Sequence, residues 1–188
     1  MFDEMIFRRA ESSDATAIAQ LHALSWRTTY RGILRDEFLD GPVLENRLSL
    51  WSERLKDPSA ENQLILVGER AGDIQAFACA FLDADPDWGT LLDNLHVVPY
   101  LKGGGLGRKL MSQVAEWVLR QKSSPRMHLW AYADNVAARH FYERLGGMNT
   151  AYVAEEAPDG TTVNAVRYSW QDVSSLTQNV RCGTARGI

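Results

Sequence analysis

The stretch "KGGGLG" at residues 102–107 puts glycine at Gly103, Gly104, Gly105 and Gly107, directly ahead of the run "RKLMSQVAEWVLRQ". Glycine loses more conformational entropy on ordering than any other residue, so such a run needs a geometric reason. Two reasons are available. One is a plain tight turn between a strand and a helix. The other is a loop whose bare backbone N–H groups approach an anion at a helix N-terminus. A tight turn uses one or two glycines, so this density weighs toward the anion.

The surroundings bound what the loop can belong to. The apolar run "TLLDNLHVVP" ahead of it reads as a strand closed by Pro99. The run after it carries Leu106, Leu110, Val114, Trp117 and Val118 on one helical face, with Arg108, Lys109, Ser112, Gln113 and Glu116 turned to water. Upstream, "MIFRRA" reads as a short strand and "SSDATAIAQLHALSWRTTY" as a helix with Ala15, Ile18, Leu21, His22 and Ser25 on one face. A second helical region follows, broken at Gly41-Pro42. "QLILVGERAGDIQAFACAFLD" reads as a hairpin about "RAGD". Downstream, "RMHLWAYA" reads as a strand and "DNVAARHFYERLGG" as a helix stopped by Gly146-Gly147. A last hairpin turns at Pro158-Asp159-Gly160. Hairpins pair strands antiparallel, while the strand–helix–strand unit around the glycines requires one parallel step. The expected fold is therefore α/β (α+β), with flanking helices on a mixed, mostly antiparallel sheet. One domain would span residues 1–173, followed by a polar, frayed tail over 174–188.

The chain has 188 residues, a formal net charge of −4 and two cysteines. No basic cluster marks a nucleic-acid surface, and no window has the roughly 20 apolar residues of a membrane span. The N-terminus lacks the pattern of a signal peptide. Cys79 lies in an apolar run and Cys182 in the polar tail, so no disulfide is expected and a reducing cytoplasm fits. Phosphate motifs can be tested directly. No Gly-Lys pair occurs, which excludes the nucleoside-triphosphate loop, and G-x-G-x-x-G fails because its last position falls on Arg108 or Leu110. What remains is Lys102-x-x-Gly105-x-Gly107 with Arg108 just inside the helix: consecutive amides, a helix dipole and two cations for a diphosphate.

"NLHVVPYLKGGGLGRKLM" resembles the acyl-coenzyme-A-binding segment of the GCN5-related N-acetyltransferases, the GNAT superfamily. "DNVAARHFYERLGGM" resembles that family's N-x-x-A-x-x-x-Y helix, with Asn135, Ala138 and Tyr142 in register, and "DATAIAQLHALSWRTTYRG" its first helix and acceptor loop. The likeness covers about residues 5–170. The chain departs from the pattern twice. Lys102 replaces the usual Gln or Arg, and Trp130 stands where some relatives carry a catalytic carboxylate.

The resemblance implies acetyl-CoA as cosubstrate and an amine as acceptor, with no metal. It puts the pyrophosphate on the amides of Gly103, Gly104, Gly105, Leu106 and Gly107, beside Lys102 and Arg108. The pantetheine arm would follow Leu95, His96 and Val97, and Asn135 and Tyr142 would also touch the cofactor. Amine attack on a thioester needs amide donors for the oxyanion, a proton for the sulfur and an exit for the amine proton. Tyr142 is the candidate acid, against its bland reading as a core tyrosine. Asn135 also suits a plain helix cap. For the base, Asp93 leads His96, with an ordered water or an already neutral amine as alternatives. Strand alternation places Asp93 with Leu95 and Val97 and His96 opposite, so the two should not share a cavity. The acceptor pocket is expected from Trp26, Tyr30, Arg31 and Glu37, with Trp51 as a further candidate. Trp117 and Trp170 read as core. Catalysis is expected by direct transfer in a ternary complex; a non-catalytic acyl-CoA sensor is the alternative. Edge strands of the last hairpin leave pairing into a homodimer open.

Overall fold

The computed structural model describes residues 4–121 and 123–177. Among the described residues, seven strands form one sheet in the order β1-β2-β3-β4-β5-β7-β6. They are β1 (Ile6–Arg9), β2 (Gln63–Arg70), β3 (Asp73–Asp85), β4 (Gly89–Val97), β5 (Met127–Tyr132), β6 (Met148–Glu156) and β7 (Thr162–Trp170). Every pair is antiparallel except β4–β5. The parallel step follows from its connection: α4 (Leu106–Arg120) crosses between β4 and β5, as a parallel pair demands. The β2–β3 turn puts Ala71 and Gly72 at φ 54° and 87°, the two left-handed positions of a type I′ hairpin.

Helices cover both faces. α4 and α5 (Val136–Arg144) lie on one, over a core that runs from Leu64 and Ala78 through Leu110 and Val114 to Tyr168. α1 (Ala15–Thr29) and α3 (Val43–Arg54) lie on the other, where Ile18, Trp51, Val67 and Phe77 pack together. The expected stripe of α1 is the buried one, including the polar His22 and Ser25. Ser112 differs from expectation. It is buried within α4, with a hydroxyl that finds no partner among the described residues, because Met111 and Ala115 widen the buried face around it. The helical region broken at Gly41-Pro42 forms α2 (Asp36–Asp40) and α3. Residues 174–177, expected in the frayed tail, form one helical turn, α6 (Ser174–Thr177), with Leu176 buried in the α4 core. The rest of that tail, with Cys182, lies outside the described residues. Among those described, no helix is long and apolar enough to cross a membrane.

One turn ties the last hairpin to the loop after α1. Asp159, 3% exposed, accepts from Arg35 N (2.7 Å), Thr161 N (3.0 Å) and Thr161 Oγ1 (2.7 Å). Burial alone would raise its carboxyl, but these donors outweigh it and hold the group below the ordinary carboxylate range. Asp159→Ala should therefore cost about 2–3 kcal/mol, or roughly 5–10 °C of melting temperature in a domain this size. The folded pKa lies below the unfolded one. The contribution is thus complete above the unfolded value of about 4 and is lost as pH falls through the folded value. Thermal melts of both proteins against pH should show the gap narrowing in acid; a constant gap would assign the loss to turn geometry instead.

Candidate active site

β4 and β5 are neighbours only where they begin. Thr90 pairs with Met127 and Leu91 with His128, and beyond these the strands diverge although both continue. The cause lies in β4. Its register against β3 shifts between Asn94, opposite Cys79, and Leu92, opposite Ala80, which leaves Asp93 as an extra residue. Such a bulge bends the strand that carries it. Past the bulge, Val98 N–H donates to Gln75 O at 2.9 Å, and the antiparallel alternation runs back from there. The main-chain groups of His96 and Asn94 therefore turn to β3, while those of Leu95 and Val97 turn into the gap. A strand edge with free donors and acceptors thus borders an open wedge. A cavity of about 470 Å³ occupies it, bounded by Leu95, Val97, the glycine loop, Asn135 and Tyr142.

At the mouth, α4 starts from the glycine run. Gly105 caps the helix at φ 86° and Gly103 sits at φ 83°, conformations that a residue with a Cβ adopts only with strain. Within the loop, only Lys102 and Gly104 amides find backbone partners. Those of Gly103, Gly105, Leu106, Gly107 and Arg108 have none among the described residues, and all five residues line the cavity. This is a ready anion site. Gly107 has a separate reason to lack a side chain: a Cβ there would stand 3.2 Å from the Phe141 ring on α5. Lys102 reaches back to α1, where its ammonium donates to Thr29 Oγ1 at 3.0 Å.

Deeper in, Tyr142 packs against Phe141, Tyr168 and Trp170 and is 9% exposed. Its hydroxyl makes no hydrogen bond among the described residues. Burial, with Tyr30 adding, pushes the phenol above its ordinary value, so it holds its proton throughout the neutral range. His96 turns its ring to α1, with Nδ1 2.8 Å from Ser25 Oγ and the His22 ring 4.4 Å away. Burial, then the charges of Lys102 and Arg47, pull His96 down to about 3, so the imidazole is neutral at physiological pH. Asp93 is held by Arg54, Nη1 to Oδ2 at 2.7 Å, and the same Nη1 donates to Asn94 Oδ1 at 2.6 Å.

Comparison with known proteins places this geometry. The acetyltransferase (GNAT) family model matches residues 18–147. The chain belongs to the GNAT family. An uncharacterized N-acetyltransferase of Archaeoglobus fulgidus is 25% identical over 146 residues, covering 73% of this chain and 89% of that one. A GNAT-family protein from Desulfovibrio desulfuricans superposes with a TM-score of 0.70 at 19% identity, over 91% of this chain and 100% of that one. The yncA protein of Salmonella typhimurium, solved with its cofactor acetyl-CoA, gives 0.65 at 23% identity, over 89% and 94%. The GNAT fold, with one parallel pair in a mostly antiparallel sheet, is the fold of this chain.

The residues expected at the GNAT site are distributed unevenly about this cavity. Asp93 and His96 line one cavity after all, because the bulge adds a residue and cancels the alternation that would have parted them. His96 offers the wedge no main-chain group, since its backbone pairs with Phe77. On the acceptor side, only Tyr30 of the four expected residues lines the cavity. Trp26 is buried beside it, with the rings 5.4 Å apart. Arg31 is exposed and paired with Asp36 and Asp40. Glu37 is an exposed residue of α2 whose carbonyl accepts from Gly41. Trp51 is fully buried and donates to His22 Nδ1 at 3.0 Å. Cys79 is also fully buried, and burial pushes its thiol up to about 12, so it offers no thiolate. Asn135 caps α5 by accepting from Ala138 N at 3.2 Å, and it also lines the cavity. Trp130 lines the cavity and stacks toward Arg167 at 5.4 Å. Sequence reading passed over Ser25, Thr29 and Arg54. Ser25 had a signal, as a polar residue on the apolar stripe of α1.

Proposed function

We propose that this GNAT protein moves an acetyl group from acetyl-CoA to a primary amine of a small molecule or peptide, by direct attack within a ternary complex. The observation that carries the reading is the wedge. One cavity joins a loop of unpartnered amides, a free strand edge and a protonated phenol. The amides of Gly103, Gly105, Leu106, Gly107 and Arg108 would hold the diphosphate, with Lys102 and Arg108 adding charge. The edge groups of Leu95 and Val97 would bind the extended arm as a further strand does, and one of their N–H groups would face the thioester oxygen. Acetyl-CoA supplies the activated acetyl group. The acceptor nitrogen forms the new C–N bond as the C–S bond breaks, the nitrogen releases a proton, and the departing sulfur takes one up. Tyr142 stands ready to donate to that sulfur. Asp93 lies on the acceptor side to receive the nitrogen's proton, directly or through water.

The test joins binding to chemistry. Acetyl-CoA at a hundredfold excess over its dissociation constant should stabilise the protein by about 2.7 kcal/mol, seen as a raised melting temperature. Thiol release should then appear with some member of a panel of amines, amino acids, polyamines and short peptides. A melting shift without thiol release from any amine would favour a sensor of acyl-CoA. A shift with ATP or NAD but none with acetyl-CoA would remove the cofactor assignment.

A pH profile separates the candidate bases. His96 is neutral down to about pH 3 and so contributes no titration between pH 5 and 9. The acid limb of kcat/KM should therefore follow the acceptor's own amine, moving to higher pH with a more basic acceptor. Profiles with two acceptors of different basicity check this. A limb fixed near 6.5 for both would return His96 to the role of base.

A further inference from the structure

The last rung shared by β4 and β5 joins Leu91 to His128. Asp93 and Trp130, each two residues further along its strand, therefore stand on either side of the opening, and both line the cavity. They face the same side of the sheet. Arg54 of α3 reaches Asp93 at 2.7 Å. On β5, Leu129 and Ala131 enter the α4 core, while Tyr132 meets Tyr30 at the end of α1, with the rings 5.0 Å apart. Strand alternation puts Trp130 with Tyr132.

Trp130 has a neighbour on one flank only. Its partner across β5–β7 is Arg167, whose guanidinium lies 3.8 Å from the centre of the Trp88 ring and 5.4 Å from that of Trp130. On the other flank β4 has parted from β5, and the indole is left 37% exposed at the cavity. An indole bared in a concave site offers apolar area that a ligand can cover.

Charge decides what kind of ligand surface suits this indole. Among the described residues no carboxylate pairs with Arg167, so a second cation against the same ring would be repelled. A neutral planar ring would not be, and it packs on an indole offset or edge-on. The acceptor's amine has its own place across the gap, at Asp93, where Arg54 engages only Oδ2.

We infer that the acceptor is an arylalkylamine, with a neutral aromatic ring against Trp130 and a short arm that carries the primary amine to Asp93. The inference rests on the acetyltransferase reading and names the substrate class of its acceptor site. The ring only binds; the transfer itself is the one proposed above.

The test compares thiol release with 2-phenylethylamine, 2-cyclohexylethylamine and ethylamine. Wild type should favour the phenyl compound over ethylamine by about 10² in kcat/KM, from burial of the ring. It should favour phenyl over cyclohexyl by roughly three- to tenfold, the share due to aromatic contact. Both preferences should lie in KM, because the ring contact is the same before and during reaction. Trp130→Leu should lose the phenyl-over-cyclohexyl preference, and Trp130→Phe should keep it. Equal use of the two ring compounds by wild type, a preference for an aliphatic diamine, or a phenyl preference unchanged in Trp130→Leu would each overturn the inference. A second reading needs no leucine variant. In isotope-labelled wild type with CoA, phenylethylamine should shift the indole N–H resonance that Trp130→Phe removes, and cyclohexylethylamine should shift it much less. A resonance that neither amine moves would also overturn the inference. If acetyl-CoA gives no melting shift and no amine releases thiol, the acetyltransferase reading itself has failed. The indole resonance, measured then without CoA, still decides whether the cavity takes an aromatic amine at Trp130.

Discussion

Replacing Tyr142 by phenylalanine is expected to lower kcat about a hundredfold while leaving the affinity for acetyl-CoA and the fold nearly unchanged. The hydroxyl has no hydrogen-bond partner among the described residues, so its loss orphans no group. The ring keeps its contacts with Phe141, Tyr168 and Trp170. General acids contribute roughly 10²–10⁴ in rate, and the lower end applies here for a physical reason. Burial and the nearby Tyr30 make the phenol a weaker acid than usual, while a thiolate is a comparatively weak base. Tyr142 therefore helps mainly by donating a hydrogen bond to charge that develops on sulfur, which affects the transition state and not the bound substrate. The same upward shift means that wild type should show no falling limb from this group below about pH 10, the ordinary phenol value. Stopped-flow or steady-state kcat measured against pH for both proteins checks each point. A variant within threefold of wild type would make Tyr142 a packing residue and leave protonation of sulfur to solvent.

The second large effect belongs to the glycine loop. Gly105→Val should weaken acetyl-CoA binding on the order of a hundredfold, which is about 2.7 kcal/mol. A Cβ at Gly105 meets no protein atom within 4 Å, so the new side chain enters open space at a residue that lines the cavity, where the diphosphate is proposed to sit. The left-handed backbone at φ 86° adds a strain of about 1–2 kcal/mol, which appears as lost stability. Calorimetric titration of the folded variant separates the two losses. Gly107→Val would be a poorer test, because its Cβ would push on Phe141, the neighbour of Tyr142, and mix packing with binding. Affinity unchanged in Gly105→Val would reduce the run to a turn.

Local signals in the chain reached far. Alternating and helical periodicities, with the breaks at Gly41-Pro42, Pro99 and Gly146-Gly147, located the strands and long helices. The Gly103–Gly107 stretch pointed to an anion site beside a helix start before any neighbour was known. Those features are legible because each depends on residues close together in the chain: the cap, the turn, the face of a single helix. What the sequence could not settle depends on residues brought together from afar. The bulge at Asp93 arises from pairing between β4 and β3, and no residue of β4 announces it. It opens the wedge, and it also brings Asp93 and His96 to one cavity where a regular strand would have separated them. The acceptor side shows the same limit. Trp26, Arg31, Glu37 and Trp51 were suited by residue type. Packing sent Trp26 and Trp51 into the core and paired Arg31 with the acids of α2. A side chain's role there depends on desolvation and on which charges surround it. Both are sums over the whole fold, and no stretch of sequence contains them.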